Sequence, residues 1–166
     1  MSLQPLSTSE LRLFLCELAE RALTEKNLID RPAFRYALEA SRQYAHTPTR
    51  AAFRDMFLAH ANANTLLMKI GFSPRSQRYS CAAWVCVYAS SLQVHDLRKA
   101  AINCYIDTFH PDRHPAEERW LRNRENELVY AQRDARRSVL EVLSSRKDAL
   151  DTALRKQVIE EERVLF

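Results

Sequence analysis

Residues 107–118, DTFHPDRHPAEE, decide how the chain folds because they lie between two long helical patterns and separate them. Two prolines lie within this stretch, and a proline disfavours helical geometry in the residue before it. A helix that precedes the stretch must therefore end before His110. The stretch predicts a stiff turn between two helices, and the charged side chains of Asp112 and Arg113 lie on that turn.

Apolar residues recur at helical spacing on both sides of this turn. Before it, the spacing of three and four residues is typical of an amphipathic helix. After it, no proline or glycine occurs from Ala116 to the end of the chain, so a long final helix is predicted. The apolar stripe before the turn comprises Leu97, Ala101, Ile102, Tyr105, Ile106 and Phe109.

The composition predicts an all-α fold. Hydrophobic residues make up 46% of the 166 residues, which is typical of a globular protein. The chain has one glycine, whereas average usage is about 7%, and this scarcity disfavours folds that are rich in tight β-hairpins. Leu, Ala, Arg and Glu, which are good helix formers, dominate the sequence.

Three further helices are predicted near the N-terminus. The first begins at a capping box formed by Ser7 and Glu10. The third ends at Gly71, where glycine suits a left-handed position and Phe72 is expected to fold back onto the last turn. A break in the third helix is expected at residues 62–64, because asparagine prefers helix caps to interiors. The predicted spans are about 8–24, 32–45 and 48–70.

The middle of the chain contains a polar connector and an apolar run. Residues 73–80, SPRSQRYS, are polar and predict a linker. Residues 81–89 form a continuous apolar run, and periodicity alone does not separate a buried strand from a buried helix. The helix-rich context favours a helix.

The charge and the cysteines limit the classes of function. The net charge of +4 indicates a solvated surface with a slight arginine excess, and we expect no nucleic-acid partner because acids alternate with the arginines of the last helix. The cysteines Cys16, Cys81, Cys86 and Cys104 form no C-x-x-C pair, which indicates thiols of a reducing compartment and no zinc site.

Targeting and catalytic signals are also missing. Residues 1–10 lack the apolar core of a signal peptide, and no apolar run approaches the roughly 20 residues that a membrane span needs, so we expect a cytoplasmic protein. No phosphate-binding glycine loop or nucleophile elbow occurs. His110 and His114 share the turn, but no thiol or second histidine pair completes a metal site. We expect neither an enzyme nor a cofactor.

The turn resembles the J domain of DnaJ-type co-chaperones. In that family an aromatic residue ends helix II and is followed by His-Pro-Asp, a basic residue, a polar residue and proline. Residues 109–115, FHPDRHP, match this order. Trp84 and Val87 match the aromatic and aliphatic residues of the family's helix I. The resemblance covers about residues 81–137.

The resemblance implies a co-chaperone that stimulates ATP hydrolysis by the seventy-kilodalton heat-shock chaperone. The residues expected to bind this partner are His110, Pro111, Asp112, Arg113, Arg98 and Lys99. The chain departs from the family because helix II carries Asn103, Asp107 and Thr108 near the turn, and Asp107 has the wrong sign for an acidic partner face. The alternative is a non-catalytic structural subunit of a larger assembly that retains a degenerate J-like scaffold.

The sequence predicts four segments. They are an N-terminal helical segment 1–72, a connector 73–80, a J-like unit 81–137 and a C-terminal helical extension 138–166. A weaker resemblance links residues 64–72, NTLLMKIGF, to the helix end of PUB domains, which bind peptide tails of a AAA chaperone. That resemblance requires a strand over residues 79–87.

Two packing expectations follow. Trp84, Ile102, Ile106 and Phe109 are expected to be buried together. The final helix either folds back near residues 144–145 to cover residues 11–23 or docks on a partner, and fold-back is favoured because an exposed apolar stripe would be prone to aggregate. The apolar residues concerned are Val142, Leu143, Leu150, Leu154, Val158 and Leu165.

Overall fold

The computed structural model describes residues 6–71 and 76–165, and the side chains of residues 6–71 and 76–153. Within these residues the chain is all-α and has no strand, so the predicted fold class is confirmed. The helices are α1 (Thr8–Glu25), α2 (Pro32–His46), α3 (Arg50–Ile70), α4 (Gln77–Ala89), α5 (Val94–Thr108) and α6 (His114–Leu165). A single 3-10 turn, Pro111–Arg113, lies between α5 and α6.

Local signals set several helix ends. The capping box at Ser7 and Glu10 is confirmed, with both reciprocal hydrogen bonds present. α3 ends at Gly71, whose φ of +78° lies in a range that glycine adopts more readily than other residues. The predicted fold-back of Phe72 lies outside the described residues. The break expected at residues 62–64 is wrong, because α3 continues through them and buries Ala63 on its packed face.

The apolar run after the connector forms a helix. α4 begins at Gln77, so the predicted connector 73–80 is too long at its end, while residues 72–75 lie outside the described part of the chain. The strand that the PUB resemblance requires over residues 79–87 is not formed. α4 packs against α1, α2, α3 and α5, so it is covered on several sides. This explains why its apolar residues show no helical periodicity.

A buried arginine joins α1 to the end of α4. Arg12 is 1% exposed, and its Nη1 donates to the carbonyl oxygens of Ala89 at 3.0 Å and Ser91 at 2.8 Å. Ala89 is the last residue of α4, where the helix has no partner of its own for this carbonyl, and Ser91 lies just beyond the helix. Burial lowers the pKa of Arg12, and the two hydrogen bonds compensate for part of its desolvation.

The predicted packing of α5 is only partly correct. Phe109 is buried, but Trp84, Ile102 and Ile106 are half-buried. The buried face of α5 is rotated around the helix axis by about one residue from the predicted face. It consists of Ala101, Tyr105 and Thr108 and packs against α1 and α4. Tyr105 can occupy this face because its hydroxyl has hydrogen-bond partners there.

The chain forms two compact units, Met1–Leu121 and Arg122–Phe166. The boundaries predicted at residues 72 and 137 do not coincide with the boundary between these units. In the first unit α1 packs against α2, α4 and α5, and the start of α6 contributes the buried residues Glu117 and Leu121. In the second unit none of the side chains described over residues 122–153 is buried.

The expected fold-back of the last helix is wrong. α6 continues without a break through Ser144 and Ser145, and Val142, Leu143 and Leu150 are each more than half exposed. Serine costs a helix interior only about 0.5 kcal/mol, too little to end a helix that lacks proline and glycine. The side chains of Leu154, Val158 and Leu165 lie outside the described set. Among the described residues, no helix is both long and apolar enough to span a membrane.

Candidate functional site

The His-Pro-Asp turn is held by local hydrogen bonds. Phe109 caps α5 in an extended conformation, and the next residues form the 3-10 turn. The Asp112 backbone N–H donates to His110 Nδ1 at 3.4 Å. The ring of His114, the first residue of α6, lies with Nε2 3.0 Å from the Phe109 carbonyl oxygen. The turn therefore has defined geometry at both ends.

His110 and Asp112 are the exposed members of the turn. His110 Nδ1 lies 2.9 Å from Asp112 Oδ2, and the Asp112 side chain is 87% exposed. Nδ1 can accept from the backbone only when it carries no proton, and it can donate to the carboxylate only when it does. In either case the Asp112 carboxylate faces solvent and can accept the paired N–H groups of an arginine on another protein.

Arg113 points back into the protein. Its Nη1 donates to Glu25 Oε2 at 2.7 Å, and its Nη2 donates to Glu117 Oε1 at 3.3 Å. Its guanidinium also lies 5.2 Å from the centre of the Phe109 ring. Half of the side chain remains exposed. Arg113 therefore ties the turn to α1 and α6.

A polar cluster beneath the turn was not predicted from the sequence. The Tyr105 hydroxyl donates to Glu117 Oε2 at 2.6 Å, and Arg21 Nη2 donates to the same oxygen at 3.0 Å. The Arg21 guanidinium also lies 3.9 Å from the centre of the Trp120 ring, in cation–π geometry. Only one contact of this cluster could have been predicted from the sequence, namely the ion pair of Arg113 and Glu117, which are four residues apart.

The environment of Glu117 favours its charged form. Burial is the largest influence and opposes ionisation. Hydrogen bonds from Tyr105 and Arg21, with the positive charges of Arg21 and Arg113, together outweigh it and hold the pKa of Glu117 below its usual value. Burial, together with the hydrogen bond to Glu117, raises the pKa of Tyr105. The cluster is therefore a carboxylate between two cations, with a neutral phenol as donor.

Two open grooves border the turn. One has a volume of about 530 Å³ and is lined in part by Lys26, Arg78 and Pro111. The other has a volume of about 510 Å³, and its lining includes Arg113 and the acids of α1. Those acids are Glu17, Glu20 and Glu25. Both grooves have mixed charge, because Asp107 also lines the first and Arg21 also lines the second.

The two basic residues predicted on α5 lie away from the turn. Arg98 is half-buried and Lys99 is exposed, and both are near the start of the helix. At 1.5 Å per residue, Lys99 lies about 14 Å along the helix axis from the C-terminal end of α5. The structure therefore brings His110, Pro111, Asp112 and Arg113 together and leaves Arg98 and Lys99 as a separate feature.

A second candidate surface lies on α6. Apolar residues recur there every eleven residues, as in the row Leu128, Val139 and Leu150. Eleven residues make three turns of 3.67 residues, close to the 3.6 of an α-helix, so each row stays on one side of the helix. We name the exposed or half-exposed apolar residues of this side the α6 stripe. It comprises Leu128, Ala131, Ala135, Val139, Val142, Leu143, Leu150 and Ala153.

One row within the α6 stripe carries charge. Arg124, Ala135 and Arg146 are also eleven residues apart and lie between the apolar rows. Arg124 Nη1 donates to Glu127 on its own helix at 2.9 Å. The stripe is therefore an apolar side with a positive charge near each end of its described part.

Comparison with protein-family models, curated proteins and solved structures found no match to this chain. Among the residues that the structure describes, no group of three or more His, Cys, Asp or Glu side chains could hold a metal ion.

Proposed function

We propose that the protein is a non-catalytic subunit that binds a helix of another protein through the α6 stripe. The observation that carries this proposal is the exposure of Val139, Val142, Leu143 and Leu150, each more than half exposed, on one side of an unbroken helix. Contiguous exposed apolar surface on a protein commonly marks an interaction site. A helix laid along such a stripe would bury it.

Charge favours another protein over a second copy of this chain. A parallel copy in register would set Arg124 against Arg124 and Arg146 against Arg146. An antiparallel copy centred on Ala135 would set Arg124 against Arg146. Like charges that face each other across an interface disfavour the association. The partner helix we propose therefore has an apolar side with the same eleven-residue repeat and acidic residues opposite these arginines.

Two neighbouring substitutions test this proposal. Leu143→Lys places a charge in the α6 stripe, whereas Ser144→Lys adds the same charge about 100° around the helix. We expect the stripe variant to weaken partner binding at least tenfold and the control to bind like wild type. A photo-crosslinker at position 143 should identify the partner in the source cells, and binding is then measured with the purified pair.

Crosslinks from position 143 should map to one helical segment of the partner. Equal binding by Leu143→Lys and Ser144→Lys would contradict the proposal. Self-association of the wild-type protein through α6, measured by sedimentation, would contradict the proposal that the partner is another protein.

A second function is favoured by the exposed Asp112 carboxylate. We infer that the turn is a docking point for the ATPase domain of a seventy-kilodalton heat-shock chaperone, to which the protein would be a J-like co-chaperone in the cytoplasm. The support is the exposure of Asp112 and the fixing of the turn by Arg113 and His114. The exposed Asp107 on α5 weakens this candidate, because it would face an acidic partner surface.

Asp112→Asn separates the two functions. The substitution removes the charge but keeps the shape of an exposed side chain, so the melting temperature should stay within about 2 °C of wild type. If the turn docks on the chaperone, stimulation of chaperone ATP hydrolysis should fall by more than tenfold. Absence of stimulation by the wild-type protein would eliminate the co-chaperone function and leave the α6 proposal intact.

A further inference from the structure

Two cysteines meet where α4 and α5 pack together. The helices are joined by residues 90–93 and pack closely, so they run antiparallel and the start of α4 lies beside the end of α5. Cys81 is near the start of α4 and Cys104 is near the end of α5. Their thiols are hydrogen-bonded to each other. The sequence gives no hint of this pair, because the two residues are far apart along the chain.

Exposure separates this pair from the other two cysteines. Cys81 and Cys104 are both half-exposed, whereas Cys16 and Cys86 are fully buried. Burial raises the pKa of Cys16 to about 12 and raises the pKa of Cys86 as well. Reaction of a thiol needs both access and thiolate character, so Cys16 and Cys86 are internal controls.

We propose that Cys81 and Cys104 are a redox-active pair that a hydroperoxide converts into an intramolecular disulfide between α4 and α5. No other part of the proposed function uses these residues. In a reducing compartment such a disulfide would be transient, as redox-sensing disulfides are.

The chemistry balances with the hydroperoxide as the two-electron oxidant. The Cys81 thiolate attacks the O–O bond, so an S–O bond forms, the O–O bond breaks and an alcohol, or water from hydrogen peroxide, leaves. The Cys104 sulfur then attacks the sulfur of this sulfenic acid. An S–S bond forms, the S–O bond breaks and water leaves. Overall the two thiols lose two electrons and two protons.

The environment of the pair assigns the two roles. The hydrogen bond from the Cys104 thiol lowers the pKa of Cys81, although burial and the nearby Asp107 carboxylate oppose this effect. The same hydrogen bond raises the pKa of Cys104, and burial adds to the rise. Cys81 is therefore the attacking thiolate, and Cys104 is the thiol that closes the disulfide.

The disulfide would fix the end of α5, which carries Phe109 and leads into the His-Pro-Asp turn. Cross-linking closes the loop from residue 81 to residue 104 and restricts the unfolded chain. We expect the melting temperature to rise by about 5–10 °C in the oxidised protein.

The test treats the full-length wild-type protein with hydrogen peroxide under native conditions. Two thiols per chain should disappear, and a cross-link should join the tryptic peptides 79–98 and 100–113. Because peptide 79–98 also contains Cys86, fragmentation must place the bond at Cys81. Dithiothreitol should restore both thiols and the original melting temperature. Cys81→Ser and Cys104→Ser should each abolish the cross-link.

Three results would overturn the proposal. They are a bond that maps to Cys86, disulfides formed between chains at low protein concentration, and oxidation of Cys81 to sulfinic acid with Cys104 still a free thiol. The readouts need no partner protein, so failure here is distinct from failure of the α6 proposal.

Discussion

Glu117 lies in the first turn of α6 and accepts hydrogen bonds from Tyr105 of α5 and Arg21 of α1. Arg113 adds a second cation to the same carboxylate. A buried charge is tolerated only where such partners offset its desolvation. At the scale of single residues, this carboxylate therefore joins three helices directly below the exposed turn.

Glu117→Gln should destabilise the protein by about 1–3 kcal/mol. The amide keeps the shape of the side chain but removes the negative charge that faces Arg21 and Arg113. Urea unfolding at pH 7 measures the difference. The neighbouring substitution Glu118→Gln, at an exposed position, should change stability by less than about 0.5 kcal/mol. Equal effects of the two substitutions would show that the cluster contributes nothing.

The same cluster should make stability depend on pH. The pKa of Glu117 is lowered in the folded protein, below its usual 4.5. Its ionic contribution is therefore complete above pH of about 4.5 and is lost as the pH falls through the folded-state pKa. The gap in unfolding free energy between wild type and Glu117→Gln should narrow between pH 5 and pH 3, roughly. A gap independent of pH would contradict this assignment.

At the scale of elements, α5 shows how one buried face is chosen over another. Ile102 and Ile106 would form a more apolar face than Tyr105 and Thr108, yet the latter pair is buried. The polar atoms of the buried face are satisfied: Tyr105 bonds Glu117, and Thr108 Oγ1 donates to the Cys104 carbonyl oxygen. Because these polar atoms are paired, burial of the two side chains leaves no uncompensated polar group.

Phe109→Ala should cost about 3–5 kcal/mol, because Phe109 is buried against Tyr105 and Arg113. Ile102→Ala removes a half-buried side chain from the same helix region and should cost about 1–2 kcal/mol. Thermal unfolding of both variants measures the loss of stability that each substitution causes. A larger loss for Ile102→Ala would mean that α5 packs on the face predicted from its apolar pattern.

At the scale of the whole molecule, the two compact units differ in how they bury side chains. Met1–Leu121 contains the whole described core, including the buried Arg12. Arg122–Phe166 exposes or half-exposes each side chain described up to residue 153. The stability of the isolated protein should therefore reside in the first unit.

Deletion of residues 146–166 should leave the isolated protein nearly as stable as wild type, within about 1 kcal/mol. The physical reason is that the side chains of residues 146–153 are exposed, so their removal uncovers little core. Differential scanning calorimetry measures the change, and binding to the partner identified by crosslinking should weaken in the same variant. A fall of many degrees in the melting temperature would contradict the assignment of the stability to the first unit.

Local sequence determined where several helices begin and end. The capping box at Ser7 and Glu10, the stop at Gly71 and the turn at Pro111 act within a few residues of themselves, so they were predictable. The continuity of α6 was equally local. A break in α6 is expected from the sequence because a break would allow the apolar stripe to be buried. The absence of proline and glycine after Ala116 predicts the continuous helix correctly.

Tertiary structure decided what the helices bury and which side chains meet. Arg12 caps the end of α4, Arg21 reaches Glu117, and Cys81 meets Cys104. Each pair joins residues that are distant in sequence, so no local pattern reports it. The free energy of such a contact depends on whether burial leaves its polar atoms paired. That condition exists only once the helices are packed, and it is why the chain buries an arginine and a glutamate while isoleucines of α5 remain partly exposed.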